Sequence, residues 1–76
     1  MATNSSAEYV YVIEQAEDGT YWAYLPDLPG CTSAADTIQD LEPRIKEAVD
    51  LYLSHYRERG EPPPKPSARV GRVVAA

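Results

Sequence analysis

Two short apolar blocks with a polar break between them open the readable part of the chain. They are Tyr9-Val10-Tyr11-Val12-Ile13 and Tyr21-Trp22-Ala23-Tyr24-Leu25, separated by a break that includes Glu17-Asp18-Gly19-Thr20. β-Branched and aromatic residues fit a pleated surface, and an Asp-Gly pair favours a tight reversal, so the pattern predicts a β-hairpin. The first block, within Glu8 to Gln15, is apolar at both parities. That predicts a strand covered on both faces, as an internal strand of a sheet is. Pro26 ends the second strand because it has no amide hydrogen for a ladder. In Pro26-Asp27-Leu28-Pro29-Gly30-Cys31, two prolines bracket a short hydrophobic step. Gly30 supplies backbone freedom before a third strand of small residues, Cys31 to Ala35.

From Asp36 onward the period changes from two to that of a helix. Ile38, Leu41, Ile45, Ala48, Val49, Tyr52, Leu53 and Tyr56 fall in one stripe about 140° wide, opposite Asp40, Glu47, Asp50, Ser54 and Glu58. Asp36 or Thr37 can cap this helix, and Thr37 and Asp40 stand at capping-box spacing with Asp in place of Glu or Gln. Pro43 predicts a kink or a late start near Asp40, because it removes a backbone hydrogen bond. Gly60 marks the stop. Residues 61–66, Glu61-Pro62-Pro63-Pro64-Lys65-Pro66, form a stiff extended spacer. Residues 68–75 are rich in β-branched side chains and read as a last strand, or as a tail ordered only against a neighbouring subunit. The fold predicted is α+β, in the order β-β-β-α-β: an antiparallel sheet with one long amphipathic helix on one face. Residues 1–7 are small and polar and predict a disordered N-terminus, leaving 8–76 as a single domain.

Composition adds three constraints. At 76 residues, a chain buries only about 60% of the surface it exposes unfolded. The single cysteine cannot staple it internally, and no Cys/His cluster has zinc-binding spacing. Small domains without such staples lean on association, so a homo-oligomer is expected. Residues 1–60 carry eleven acidic and four basic side chains, a balance of −7, whereas Lys65, Arg69 and Arg72 against Glu61 make the remainder +2. An acidic body repels phosphate backbones, so no direct nucleic-acid binding is expected, and it suits encounter with a basic protein. No apolar run is long enough for a bilayer and the start lacks a signal peptide's regions, so no membrane role is expected and the cytoplasm is the compartment read.

Candidate catalytic groups are sparse. Cys31 follows a glycine, yet no base or positive charge is near it in sequence, and it reads as a small buried packing residue. His55, the only histidine, falls at the border of the helical stripe and reads as a boundary residue. Asp18, Asp27, Asp36 and Asp40 invite a magnesium-dependent nuclease reading. Asp18 has a sufficient turn role, and Asp36 and Asp40 have cap roles. No catalytic residue, cofactor or metal site is therefore expected. Six tyrosines, one tryptophan and no phenylalanine are more distinctive. Tyr and Trp suit partly exposed positions and interfaces, and one helix can cover only one face of the sheet. Leu51 points away from the stripe as a secondary exposed apolar residue.

From about Tyr9 to Pro66 the chain resembles the HicB family of antitoxins. The resemblance is carried by Asp18-Gly19, Tyr21-Trp22-Ala23, the run Pro26 to Cys31, Asp36-Thr37, Lys46-Glu47-Ala48 and the extended Gly60-Glu61-Pro62-Pro63-Pro64. It implies a partial RNase H-like fold without a working nuclease centre. It also implies an antitoxin that covers the active surface of a small basic HicA-type mRNA-cleaving toxin. Three features depart from the family pattern. Ala35 replaces a usual glycine, so its backbone should avoid positive φ, and Pro43 interrupts a helix that is usually regular. The chain also ends soon after the last strand, whereas many HicB proteins append a DNA-binding domain. The contact residues expected on the uncovered face are Trp22 and Tyr24, with Asp27 and Asp36 beside them. The alternative expectation is a stand-alone homo-oligomeric scaffold with no toxin partner.

Overall fold

Strand pairing in the computed structural model, which describes residues 8–75, follows the hairpin pattern closely. β1 (Val12–Gln15), β2 (Tyr21–Tyr24) and β3 (Thr32–Ala35) form an antiparallel sheet in the order β1-β2-β3, followed by one helix, α1 (Ile38–Glu58). This is an α+β fold. The disorder expected of residues 1–7 lies outside the described residues.

Register sorts the side chains. Ile13 pairs with Ala23 and Ala23 with Ser33, while Glu14 pairs with Trp22 and Trp22 with Ala34. Partners therefore share parity, and since successive side chains alternate faces, odd positions on all three strands point one way and even positions the other. The odd side meets the helix. Ala23, Leu25, Leu28, Cys31, Ala35, Leu41 and Ile45 are buried, with Tyr9, Tyr11, Ile13, Tyr21, Ala48, Val49, Tyr52 and Leu53 packed around them.

The loop between β2 and β3 is built to deliver one side chain. Leu28 N–H donates to the Leu25 carbonyl, Cys31 N–H to that of Leu28, and Leu25 N–H to that of Cys31. These turns fold Leu28 inward until it is fully buried. Gly30 closes the loop at φ 86°, in the left-handed region that only glycine enters freely. The Tyr52 hydroxyl, reaching from the helix, donates to the Pro29 carbonyl at 3.0 Å.

Thr37 is the N-cap, its side chain accepting the Asp40 N–H at 3.1 Å. The helix thus starts at Ile38 rather than near Asp40 and runs unbroken through Pro43 to Glu58. Pro43 and Gln39, whose carbonyl loses its helical donor, are both exposed, so the lost bond falls on the solvent side of the helix, where it costs least. At the other end, Gly60 N–H donates to the Arg57 carbonyl and Glu61 N–H to that of Tyr56, with Gly60 at φ 69°. This left-handed termination turns the chain out of the helix axis.

Two expectations are corrected. Among the described residues β1 is an edge strand, because residues 68–75 do not form a fourth strand against it. Pro62, Pro63, Pro64 and Pro66 have no amide hydrogens, and those of Ser67 and Ala68 are taken by the Asp27 carboxylate. A ladder cannot begin before Arg69, and from there to Ala75 the chain is exposed. Tyr9 and Tyr11 precede β1 and pack inward, while Val10 and Val12 remain half-exposed on the other side. The apolar first block is therefore covered on one face only. Ala35, as expected, avoids positive φ.

Candidate protein-interaction face

The even positions make the outer face of the sheet: Val12 and Glu14 from β1, Trp22 and Tyr24 from β2, Thr32 and Ala34 from β3. Trp22 and Tyr24 stand two residues apart on the central strand, so their rings lie side by side, centroids 5.5 Å apart and tilted by 30°. Small or short partners on β3, Ala34 and Thr32, leave the pair raised above its surroundings. Trp22 is 37% exposed although it lies in mid-sheet. A large apolar surface with a polar edge, held on a rigid strand, is suited to burial against another protein.

The two aspartates expected beside this pair lie at opposite ends of the sheet. Asp36 follows Ala35, which pairs with Tyr21, and is exposed next to the helix cap. It lines a shallow polar cleft with Gln15, Gly19, Thr37 and Gln39. Asp27 lies beyond the other end, in the loop after Leu25, and its carboxylate is occupied. Oδ2 accepts the N–H groups of Ser67 at 2.9 Å and Ala68 at 3.0 Å, and Oδ1 accepts the Ser67 hydroxyl at 2.9 Å. The backbone donor of Ala68, then that of Ser67, holds the Asp27 carboxyl below its ordinary value. The Tyr9 hydroxyl donates to the Pro64 carbonyl nearby. Burial first, then the Asp27 charge and Tyr56, push the Tyr9 phenol up. Asp27 and Tyr9 together strap the proline-rich segment to the body. A contact across forty residues leaves no local signal, and the prolines indicate only that the segment is extended.

Cys31 is buried, and burial pushes its thiol up, away from the reactive thiolate. His55 is exposed in the last turn of α1, although it and Cys31 line one shallow hollow with Leu51 and Tyr52. Asp18 Oδ1 accepts the N–H and hydroxyl of Thr20, which tightens the first hairpin and lowers its pKa. Among the described residues, no three His, Cys, Asp or Glu side chains gather as a metal site would require. Leu51, at 65% exposure, lies beside β3, lining a shallow groove with Ser33, Ala34 and Ala48. No helix among the described residues is long and apolar enough to cross a membrane.

Known proteins resemble this chain over most of its length. A UPF0150 protein of Archaeoglobus fulgidus is 46% identical over 46 residues, covering 60% of this chain and 67% of that one. A UPF0150 protein of Synechocystis is 43% identical over 47 residues, or 62% of this chain and 65% of the relative. The similarity to a UPF0150 protein of Thermoplasma acidophilum is longer, at 33% identity over 68 residues, 90% of this chain and 99% of that one. The family described as HicB-like antitoxin of bacterial toxin–antitoxin systems matches residues 9–75. That span takes in the hairpin, the Leu28 loop, the helix and the strapped tail, and the chain belongs to the HicB-like antitoxin family.

Proposed function

We propose that the protein neutralises a small basic HicA-type mRNA-cleaving toxin by covering its active surface. The observation that carries this reading is the Trp22–Tyr24 pair, raised on the face of the sheet that the helix does not cover. Truncating a central Trp or Tyr in an interface commonly costs 2 kcal/mol or more, roughly 30-fold in affinity. Glu14 beside Trp22, and Asp36 at the end of the sheet, give that face an acidic border towards a basic partner. Complementary charge speeds encounter, and the net −7 of residues 1–60 acts in the same sense. Asp27 enters the proposal at the opposite end, where its carboxylate also holds the tail. Inhibition by occlusion needs no catalytic group, and it places the protein in the cytoplasm, where mRNA is cleaved.

The experiment is coexpression with a small basic ribonuclease encoded beside it. The wild-type chain should restore growth and copurify with the toxin. The double variant Trp22→Ala/Tyr24→Ala should do neither while remaining folded. Full protection by that variant would sink the proposed face, and failure of the wild-type chain to bind any such toxin would sink the antitoxin reading for this chain.

Self-association is proposed as well. The buried core among the described residues, seven side chains, is small, and Val70, Val73 and Val74 are 72%, 90% and 96% exposed. Sedimentation equilibrium tests it directly, and a monomer at every concentration would overturn it.

A further inference from the structure

The two edges of the sheet are treated differently. Beside β3 the helix packs closely, and Arg44 Nη1 reaches over to donate to the Ala34 carbonyl at 2.8 Å. The helix lies over β3 and β2 but makes no close backbone approach to β1. Among the described residues, the outer edge of β1 has no pairing strand. It also lacks the Lys and Pro residues that commonly blunt such an edge, since β1 reads Val12-Ile13-Glu14-Gln15. Between this side of the sheet and α1 lies an open groove of about 380 Å³, lined by Tyr9, Tyr11, Leu25, Ile45, Val49 and Leu53. Glu42, Lys46 and Asp50 complete its lining. Lys46 is paired with Asp50 at 3.0 Å, whereas Glu42 has no ion-pair partner among the described residues.

The same chain carries a segment that matches this slot and does not use it. After the clamp at Ala68, Arg69-Val70-Gly71-Arg72-Val73-Val74-Ala75 is exposed throughout, and none of its amides is used by a ladder. Extended, these seven residues reach about 23 Å, against about 13 Å for the four-residue ladder of β1. Val70, Arg72 and Val74 share one face of such a strand. Two valines suit the apolar lining, and an arginine between them suits Glu42. Overall the tail is basic and the body acidic.

We propose that residues 69–75 of one copy add as a strand to the free edge of β1 in a second copy, with Val70 and Val74 seated in its groove and Arg72 facing Glu42. Exchange of an identical element is a low-cost route to a dimer, because two slots are filled by one association. Main-chain hydrogen bonds along the edge supply affinity and the alternate side chains supply register. The occupant is a second copy, and the surface lies at the sheet edge, leaving the Trp22–Tyr24 face free. The inference rests on the self-association proposed above, and its test separates the two.

In a Cys31→Ala background, one tagged chain carries Val12→Cys and a differently tagged chain carries Val73→Cys. Both positions then lie on the outer face of the joined sheet, and the chains are mixed, refolded together and treated with a short bismaleimide. A product containing both tags is expected, and it should be lost when the tail also carries Val70→Asp and Val74→Asp. Sedimentation of Val70→Asp/Val74→Asp should show monomer where the wild type dimerises. Cross-linking only when both cysteines are in one chain would overturn exchange in favour of the tail folding onto its own β1. A dimer that survives Val70→Asp/Val74→Asp would overturn exchange while leaving self-association standing. A wild-type monomer at every concentration would overturn both.

Discussion

The two faces of the sheet carry similar residue types and have opposite fates. Tyr21, Ala23 and Leu25 on one side are packed against the helix, with Ala23 fully buried, while Trp22 and Tyr24 on the other remain raised and partly exposed. Hydrophobicity does not separate the two sets, since the most apolar aromatic of the chain is on the open side. What separates them is parity against a single helix. The strand cannot present both sets to one partner, so the set not used for folding is available for binding.

The sharpest way to break the contrast is to damage the closed side. Leu41→Ala removes one of the two largest fully buried side chains and should cost about 2–5 kcal/mol. In a domain of this size that approaches the whole stability, so circular dichroism should show a chain largely unfolded at room temperature. Trp22→Ala is the matched change on the open side. It loses the Tyr24 ring contact and should cost about 1 kcal/mol, leaving the chain folded, while binding of the proposed toxin falls roughly 30-fold by titration calorimetry. Equal losses of stability at both positions would erase the distinction.

Changes at the helix start and the tail sharpen the contrast with smaller effects. Thr37→Ala leaves the Asp40 N–H without its cap and should lower stability by about 1 kcal/mol in a denaturant titration. Asp27 offers a pH test. Its carboxyl is held below the ordinary 3.8 by the Ala68 and Ser67 donors. The attachment it contributes is therefore fully present above the unfolded value, and it is lost as pH falls through the lowered folded one. The Ser67 and Ala68 amide resonances should move together with a midpoint below 3.8. Asp27→Ala should abolish that titration while leaving the core signals in place.

Much of the fold is legible from residues that act locally. The Asp18-Gly19 turn, the strand stop at Pro26, the Thr37 cap and the helical stripe from Leu41 to Leu53 need only neighbours in the chain, and each appears where the pattern puts it; Ile38, expected at the head of that stripe, is exposed. The Leu28 step is legible as well, since prolines and Gly30 specify the turns that bury it. The missed features are non-local. Among the described residues β1 is an edge because of what residues 68–75 do elsewhere, and an apolar first block cannot report where that distant segment goes. Pro43 is the exception, a local misreading: the Thr37 cap starts the helix at Ile38, and the proline falls on its exposed side. The Asp27 clamp joins positions forty residues apart through hydrogen bonds to backbone amides, which no side-chain pattern encodes.

By itself the sequence determined three strands and one helix, their order, the alternation that assigns each strand residue to a face, and the acidic body with its basic tail, but it also put a strand at residues 68–75 that does not form. Propensity, capping and turn chemistry act within a few residues and are written where they act. Only the tertiary structure decided which alternating set became the core, that the helix would sit over β3 and β2, and that Asp27 would hold the tail. Among the described residues it also left the outer edge of β1 unpaired beside the groove. These are outcomes of which surfaces compete successfully for one helix and one carboxylate, and that competition is settled between distant parts of the chain.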